Sequence, residues 1–172
     1  AAIQGAKAGC RVAMVERGAA IGGECVQRGT IPSKTLRETA VALASLRQRS
    51  GNVFDLQMPE GTKISSLMTR LEEVVESHQQ YIGDQLRRNG IDLVHGRARF
   101  VSPVEVEVQS VQGTRRRLAA STIVIAAGST PRTPPNVPID HEHVLDSDSI
   151  LSLQYLPRSL VVLGAGVIAS EY

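Results

Sequence analysis

Residues Gly22 to Lys34 read G-G-E-C-V-Q-R-G-T-I-P-S-K, and this stretch decides how the rest of the chain is interpreted. Glycine lets the backbone approach a ligand closely, so Gly22-Gly23 is a candidate contact with a bound molecule. Proline is tolerated in the first turn of a helix, and Ile31-Pro32-Ser33-Lys34 therefore predicts a helix from about Ser33 to Arg49. The stretch therefore predicts a backbone that comes close to a ligand at Gly22-Gly23, followed by the start of a helix.

The residues before this stretch predict the end of a dinucleotide-binding unit. Ala1 to Gly9 is typical of the last turns of a helix capped by Gly9, and Arg11 to Glu16 is typical of a buried parallel strand that ends in an acid. In a βαβ unit of this kind the terminal acid accepts hydrogen bonds from a ribose hydroxyl of the dinucleotide. Glu16 is therefore a candidate ligand residue, and on this segment alone it is equally consistent with a surface acid.

The residues after the stretch predict helix, then sheet. Ile64 to Arg88 has apolar residues at helical spacing and is closed by Asn89-Gly90. The period then changes, and three runs predict a small antiparallel meander. These runs are Ile91 to Phe100, Val104 to Val108 and Arg117 to Ala119.

Two further apolar runs predict buried strands near the C-terminal end of the sequence. Thr122 to Ala126 precedes Ala127-Gly128, and we expect it to join the strand Val12 to Val15 in one parallel sheet. Leu160 to Leu163 leads into a G-x-G-x-x-A pattern, which brings a pyrophosphate to the start of a helix. That pattern consists of Gly164, Gly166 and Ala169.

Composition excludes several classes of protein. The 172 residues are 42% hydrophobic and 21% charged with a net charge of +2, as in an ordinary soluble protein. Two cysteines are too few for a disulfide framework, no Cys/His cluster indicates a metal site, and no run reaches the roughly 18 apolar residues of a membrane span. The basic cluster Arg115 to Arg117 is expected at a solvated hairpin turn rather than in a nucleic-acid site.

The stretch from Gly22 to Lys34 resembles the redox-active segment of the flavoprotein disulfide reductases, which include dihydrolipoamide dehydrogenase, glutathione reductase and mercuric reductase. Those proteins read G-G-x-C-x-x-x-x-C-x-P-x-K, with two cysteines beside the flavin. Here Cys25 holds the first cysteine position and Thr30 replaces the second. A hydroxyl cannot take part in thiol-disulfide exchange, so dithiol chemistry is not expected.

The string G-T-I-P-S-K and the later D-S-D-S-I-L-S-L resemble the soluble, FAD-dependent pyridine nucleotide transhydrogenase branch of these proteins. V-H-G-R-A-R-F, I-V-I-A-A-G-S-T-P and G-A-G-V-I-A-S-E, at residues 94–100, 123–131 and 164–171, agree with the same resemblance. It implies an α/β flavoprotein with two Rossmann-like dinucleotide-binding domains. Residues 1–158 would be an FAD domain without its first strand and glycine loop, and residues 159–172 the start of an NAD(P) domain.

The resemblance also implies roles for individual residues. Lys34 would lie near the flavin ring and stabilise its reduced form, with a solvated lysine as the alternative reading. Thr30 would offer a hydroxyl to the same ring, or serve only as a helix cap. Cys25 would be a free thiol, more a packed remnant than a nucleophile.

Backbone contacts complete the implied site. Ala98 would contact the adenine, and Ala127-Gly128 would approach the FAD diphosphate or ribityl chain, with Ala127 replacing the usual threonine. The implied protein is cytoplasmic, uses FAD, NAD and NADP, and is a homo-oligomer when intact, with no nucleic acid or membrane as partner. We expect the fragment alone to be inactive.

Two other interpretations stay open from the sequence. The first is an enzyme like dihydrolipoamide dehydrogenase or mercuric reductase that has lost its redox disulfide. The second is a non-catalytic flavin-domain fragment. The absence of an initial Met and the helical character of residues 1–9 fit a chain that starts inside an element.

Overall fold

The computed structural model describes residues 1–50 and 64–171, and Tyr172 of the predicted NAD(P) segment lies outside the described residues. The chain divides into two compact units, residues 1–23 with 78–128 and residues 24–77 with 129–172. In chain order the elements are α1 (Ala2–Lys7), β1 (Ala13–Glu16), α2 (Gly23–Gln27), α3 (Thr30–Ser50), α4 (Ile64–Arg88), β2 (Asp92–His95), β3 (Arg97–Ser102), β4 (Glu105–Gln109), β5 (Arg115–Ala119), a 3₁₀ helix (Ser149–Ser152) and α5 (Val167–Glu171).

The first unit contains a parallel pair of strands. β1 pairs with β2 in a register that sets Ala13 opposite Asp92 and Glu16 opposite His95. Because the connection between parallel strands must return to the same end of the sheet, it cannot be a tight hairpin, and helical segments lie in the sequence between β1 and β2. The pairing places the carboxyl end of β1, with its acid, beside the carboxyl end of β2.

Helix α4 ends where the sequence predicts. Gly90 has a φ of +63°, and its amide donates to the carbonyl of Arg87 while the amide of Ile91 donates to the carbonyl of Leu86. These two bonds form a Schellman motif, which needs a left-handed residue that glycine adopts without strain. Leu86 and Ile91 are both buried, so the motif also fixes the entry into β2.

The antiparallel meander consists of β3, β4 and β5 in that order. The prediction of a single strand from Ile91 to Phe100 is wrong, because Gly96 divides it and β2 pairs with β1 instead. A Cβ at Gly96 would lie 2.6 Å from the carbonyl oxygen of Gln109, so only glycine fits this close approach. Arg115–Ala119 forms β5, and the basic cluster therefore lies in a strand, directly after the turn at Gly113 rather than in it.

Two predicted strands are absent from their expected places. Residues 122–126 and 160–163 are not strands, and in the described part of the chain neither segment pairs with another. A strand is stabilised by ladder hydrogen bonds to a neighbour, and β1 takes β2 as its parallel partner. Ile125 and Leu163 are consequently 75% and 81% exposed, although their sequence is typical of buried strands.

The second unit carries α3 and most of α2, and these helices contain most of the stretch from Gly22 to Lys34. α3 begins at Thr30, three residues before the predicted start, because the first amides of a helix need no intrahelical acceptor and Pro32 is tolerated there. Pro32 and Ser33 are buried and anchor this first turn. Asp146-Ser147-Asp148-Ser149 is a sequence that predicts the start of a short helix near Ile150. A 3₁₀ helix begins at Ser149, and just before it Asp146 accepts hydrogen bonds from the amides of Asp148 and Ser149.

Candidate functional site

The carboxylate of Glu16 is held at the end of β1 by the next turn of the backbone. The amide of Gly18 donates to Oε1 at 2.7 Å, and the side chain is half-buried. Within residues 1–50 and 64–171 no hydrogen bond reaches Oε2. A carboxylate with one oxygen held and the other open can accept a hydrogen bond from a ligand hydroxyl, as the prediction for Glu16 requires.

His95 stands on the neighbouring strand and was not predicted. Its Nδ1 lies 3.3 Å from the carbonyl oxygen of Gly18, and it faces Glu16 in the β1–β2 register. The sequence does contain a signal, because His95 is the second residue of the V-H-G-R-A-R-F string. That signal becomes readable only when β1 and β2 are known to pair.

The remaining predicted residues of the first unit are backbone positions. Gly22, Gly23 and Gly128 have φ values of +109°, +61° and +76°. A Cβ at Gly23 would meet no atom within 4 Å, so the space beside that backbone is open to a ligand. Ala98 lies in β3 opposite Val108 and is exposed, as is Ala127 in a segment without regular structure.

The second unit holds the three residues predicted to be catalytic. Cys25 is the third residue of the short helix α2 and is an exposed free thiol, so the expectation that it is a packed side chain is wrong. Thr30 is the first residue of α3, where its carbonyl accepts a hydrogen bond from the hydroxyl of Ser33 at 3.3 Å. Lys34 follows one turn later, with 59% of its side chain exposed. The buried pair Pro32-Ser33 therefore fixes the backbone from which Thr30 and Lys34 project.

Lys34 has a specific partner that sequence reasoning missed. Its Nζ donates to Oε1 of Glu171 at 3.0 Å, and this bond, with a smaller one from the Ser33 hydroxyl, lowers the pKa of Glu171 below its ordinary value. Glu171 ends the quoted G-A-G-V-I-A-S-E string, but an acid in a helix is by itself typical of a solvated surface. The pair orients the ammonium group of Lys34 and favours the charged form of the Glu171 carboxylate.

The glycine turn before α5 packs closely against the helix at one of its glycines. A Cβ at Gly164 would lie 3.0 Å from the Cβ of Ala169, whereas one at Gly166 would meet nothing within 4 Å. α5 begins at Val167, directly after the turn. The strand expected before this turn is the missing one at residues 160–163, so the helix half of the predicted unit is present and the strand half is not.

Two further features bear on the chemistry available in the described residues. No three His, Cys, Asp or Glu side chains among them are grouped so that they could hold a metal ion. No helix among them is long and apolar enough to cross a membrane.

Comparison with known proteins gives a consistent result over the whole chain. The family model described as pyridine nucleotide-disulphide oxidoreductase matches residues 1–172. The chain is 42% identical over 174 residues to a soluble pyridine nucleotide transhydrogenase of Mycobacterium bovis and 37% identical over 174 residues to one of Hahella chejuensis. Each of these alignments covers 100% of this chain and 37% of the relative.

A solved structure of a flavoprotein disulfide reductase is similar to this chain over nearly its whole length. The Cu(II) complex of the HOCl-induced flavoprotein disulfide reductase RclA from Escherichia coli superposes with a TM-score of 0.80 at 30% identity. The match covers 99% of this chain and 35% of that chain. The predicted fold class, a parallel sheet with helices and an antiparallel meander in a Rossmann-like flavoprotein, is confirmed by this likeness together with the observed sheets.

Proposed function

Because the chain belongs to the pyridine nucleotide-disulphide oxidoreductase family, we propose that it is the flavin-binding part of an enzyme that transfers hydride between NADPH and NAD through FAD. The observation that carries this proposal is Thr30 at the start of α3, where a dithiol enzyme would need its second cysteine. Cys25 and Cys10 are both free thiols and belong to different compact units. The names of the relatives that match the whole chain support the same reaction.

The first unit has residues that could hold part of an FAD molecule. Glu16 offers an open carboxylate oxygen for a ribose hydroxyl. The positive-φ backbone at Gly22, Gly23 and Gly128 and the exposed backbone positions Ala98 and Ala127 offer amides and carbonyls without bulky side chains. The bound FAD would supply the ring that accepts and returns the electron pair with its proton.

Lys34 and Thr30 would serve that ring from the first turn of α3. An ammonium group near the ring stabilises the negative charge that develops on reduction. Glu171 keeps the Lys34 ammonium oriented, and the exposed fraction of Lys34 leaves room for a second contact. The hydroxyl of Thr30 would donate or accept a hydrogen bond, and Cys25 would have no essential part.

The second nucleotide would be held by the turn before α5. Gly164, Gly166 and Ala169 have the spacing that brings a pyrophosphate to a helix start. The intact protein would thus have an FAD domain up to residue 158 and an NAD(P) domain from residue 159. It would be a cytoplasmic homo-oligomer, and residues 1–172 alone would be inactive and bind FAD weakly.

An anaerobic flavin titration tests the proposed reaction in the intact protein. NADPH should bleach the oxidised flavin absorbance, and NAD should restore it without any thiol or disulfide substrate. Lys34→Ala should slow the bleaching by about a hundredfold, whereas Lys7→Ala, in the exposed last turn of α1, should leave it unchanged. Oxidised flavin that NADPH does not bleach would contradict the proposal, and reduction that returns only to dihydrolipoamide or a disulfide would favour the reductase interpretation.

A further inference from the structure

Both backbone polar groups of Gly18 have a side-chain partner. Its amide donates to Oε1 of Glu16 at 2.7 Å, and its carbonyl oxygen lies 3.3 Å from Nδ1 of His95. Glu16 and His95 are paired positions in the parallel ladder of β1 and β2. The turn after β1 is therefore clamped between the ends of two neighbouring strands.

The chemistry of the contact makes Nδ1 of His95 the hydrogen-bond donor. A carbonyl oxygen can only accept a hydrogen bond, so the contact requires a proton on Nδ1 of His95. The amide of Gly96, the residue after His95, donates to the carbonyl oxygen of Glu16 at 2.9 Å. This backbone hydrogen bond keeps His95 beside Glu16, so the imidazole ring lies close to the carbonyl of Gly18.

We propose that His95 is a positioning residue for the adenosine ribose of FAD, acting through Gly18 on the carboxylate of Glu16. This inference rests on the proposed function, because it takes Glu16 as the acid that binds the ribose. The bond from the Gly18 amide holds Oε1 and leaves Oε2 for a ribose hydroxyl. The bond from His95 to the Gly18 carbonyl anchors the peptide that follows Gly18, which limits the rotation of this glycine and keeps its amide within reach of Oε1.

The alternative role for His95 is structural support of the strand ends. His95 is exposed, and the β1–β2 ladder is formed by backbone bonds that its side chain does not make. Loss of the imidazole therefore removes the bond to Gly18 without removing the ladder. A purely structural role would affect every ligand of the unit equally, whereas a role through Glu16 affects only a ligand that carries the ribose hydroxyls.

The experiment compares two ligands in the apo form of the intact protein. The first is FAD, and the second is an FAD analogue whose adenosine ribose lacks both hydroxyls, with dissociation constants measured by flavin fluorescence. His95→Leu removes the donor, His95→Asn keeps an N–H donor near the place of Nδ1, and His143→Leu replaces another exposed histidine as the matched control. Circular dichroism of each variant checks that the fold is retained.

One hydrogen bond in a partly solvated setting corresponds to an increase of about three- to tenfold in the dissociation constant for FAD in His95→Leu. We expect no change for the dideoxy analogue, an affinity within about twofold of wild type in His95→Asn, and no change in His143→Leu.

Three results would overturn the inference while the proposed function stands. These are an unchanged affinity for FAD in His95→Leu, an equal loss for both ligands, or a His95→Asn variant as weak as His95→Leu. Wild-type protein that binds no FAD would instead overturn the proposed function, and this inference with it.

Discussion

Replacement of Gly96 by alanine tests how the chain is held between its parallel and antiparallel sheets. Gly96 has a φ of +153°, a region that is almost closed to other residues and costs them about 1–3 kcal/mol. The added Cβ would also lie 2.6 Å from the carbonyl oxygen of Gln109 and 2.8 Å from Cγ1 of Val108. Val108 is only 2% exposed and the carbonyl of Gln109 belongs to the paired backbone of β4, so neither atom can move aside readily, and overpacking of this kind costs about 1–3 kcal/mol more.

Two other glycines separate the two contributions. Gly113 has a φ of +85° but open space around a Cβ, so Gly113→Ala should show backbone strain alone, about 1–2 kcal/mol. Gly166 has open space and no positive φ, so Gly166→Ala should be nearly neutral. The expected loss for Gly96→Ala is about 2–6 kcal/mol, the sum of strain and overpacking.

Equilibrium urea unfolding followed by far-ultraviolet circular dichroism measures these differences. We expect Gly166→Ala to be the most stable of the three variants, Gly113→Ala the next and Gly96→Ala the least stable. A Gly96→Ala variant within about 1 kcal/mol of Gly113→Ala would refute the reasoning, since overpacking would then contribute nothing. Gly96 stands between His95 and the strand that carries Ala98, so Gly96→Ala should also weaken FAD binding more than Gly113→Ala does.

Three further predictions concern charged groups. Arg99 donates from Nε and Nη2 to Oε1 of Glu107, whose side chain is 10% exposed, so Arg99→Ala should lower the free energy of unfolding by about 1–3 kcal/mol. Arg70→Ala, which breaks an exposed ion pair, should cost less than about 0.5 kcal/mol in the same urea assay. Three backbone amides lower the pKa of Asp140 to about 2, and an NMR titration that finds its ordinary value of 3.8 would contradict the observed turn. The Ser149 hydroxyl lowers the pKa of Asp146. The ionised Asp146 carboxylate therefore stabilises the fold fully above pH 3.8, and this contribution is lost as the pH falls through the lowered pKa. Asp146→Asn should flatten the dependence of the unfolding midpoint on acid pH.

The elements that the sequence predicts well are those decided by local chemistry. Helix α4 runs from Ile64 to Arg88 as its apolar spacing and the Asn89-Gly90 signal indicate. The turn at Asp146, just before the 3₁₀ helix, is equally local, because a carboxylate can reach the amides two and three residues ahead. In both cases the residues that decide the structure are neighbours in the sequence.

Strand pairing was predicted less well because it depends on distant residues. The run at residues 122–126 has the composition of a buried strand, yet β1 pairs with β2, whose residues the sequence predicts to belong to the meander. Apolar composition describes what a strand could bury but does not name its neighbour. The division at Gly96 is visible only from the close approach of Gln109, which comes from the partner strand.

The same distinction explains which site residues were missed. Glu16 and Lys34 stand in strings whose chemistry can be read locally, an acid at a strand end and a lysine in a first helical turn. Their partners lie far along the chain, since Lys34 and Glu171 are 137 residues apart and Gly18 and His95 are 77 apart. A residue that orients a ligand-binding group needs no motif of its own, because only its position in the fold gives it that role. Sequence reasoning therefore reaches the groups proposed to touch the cofactor and stops before those that hold them in place.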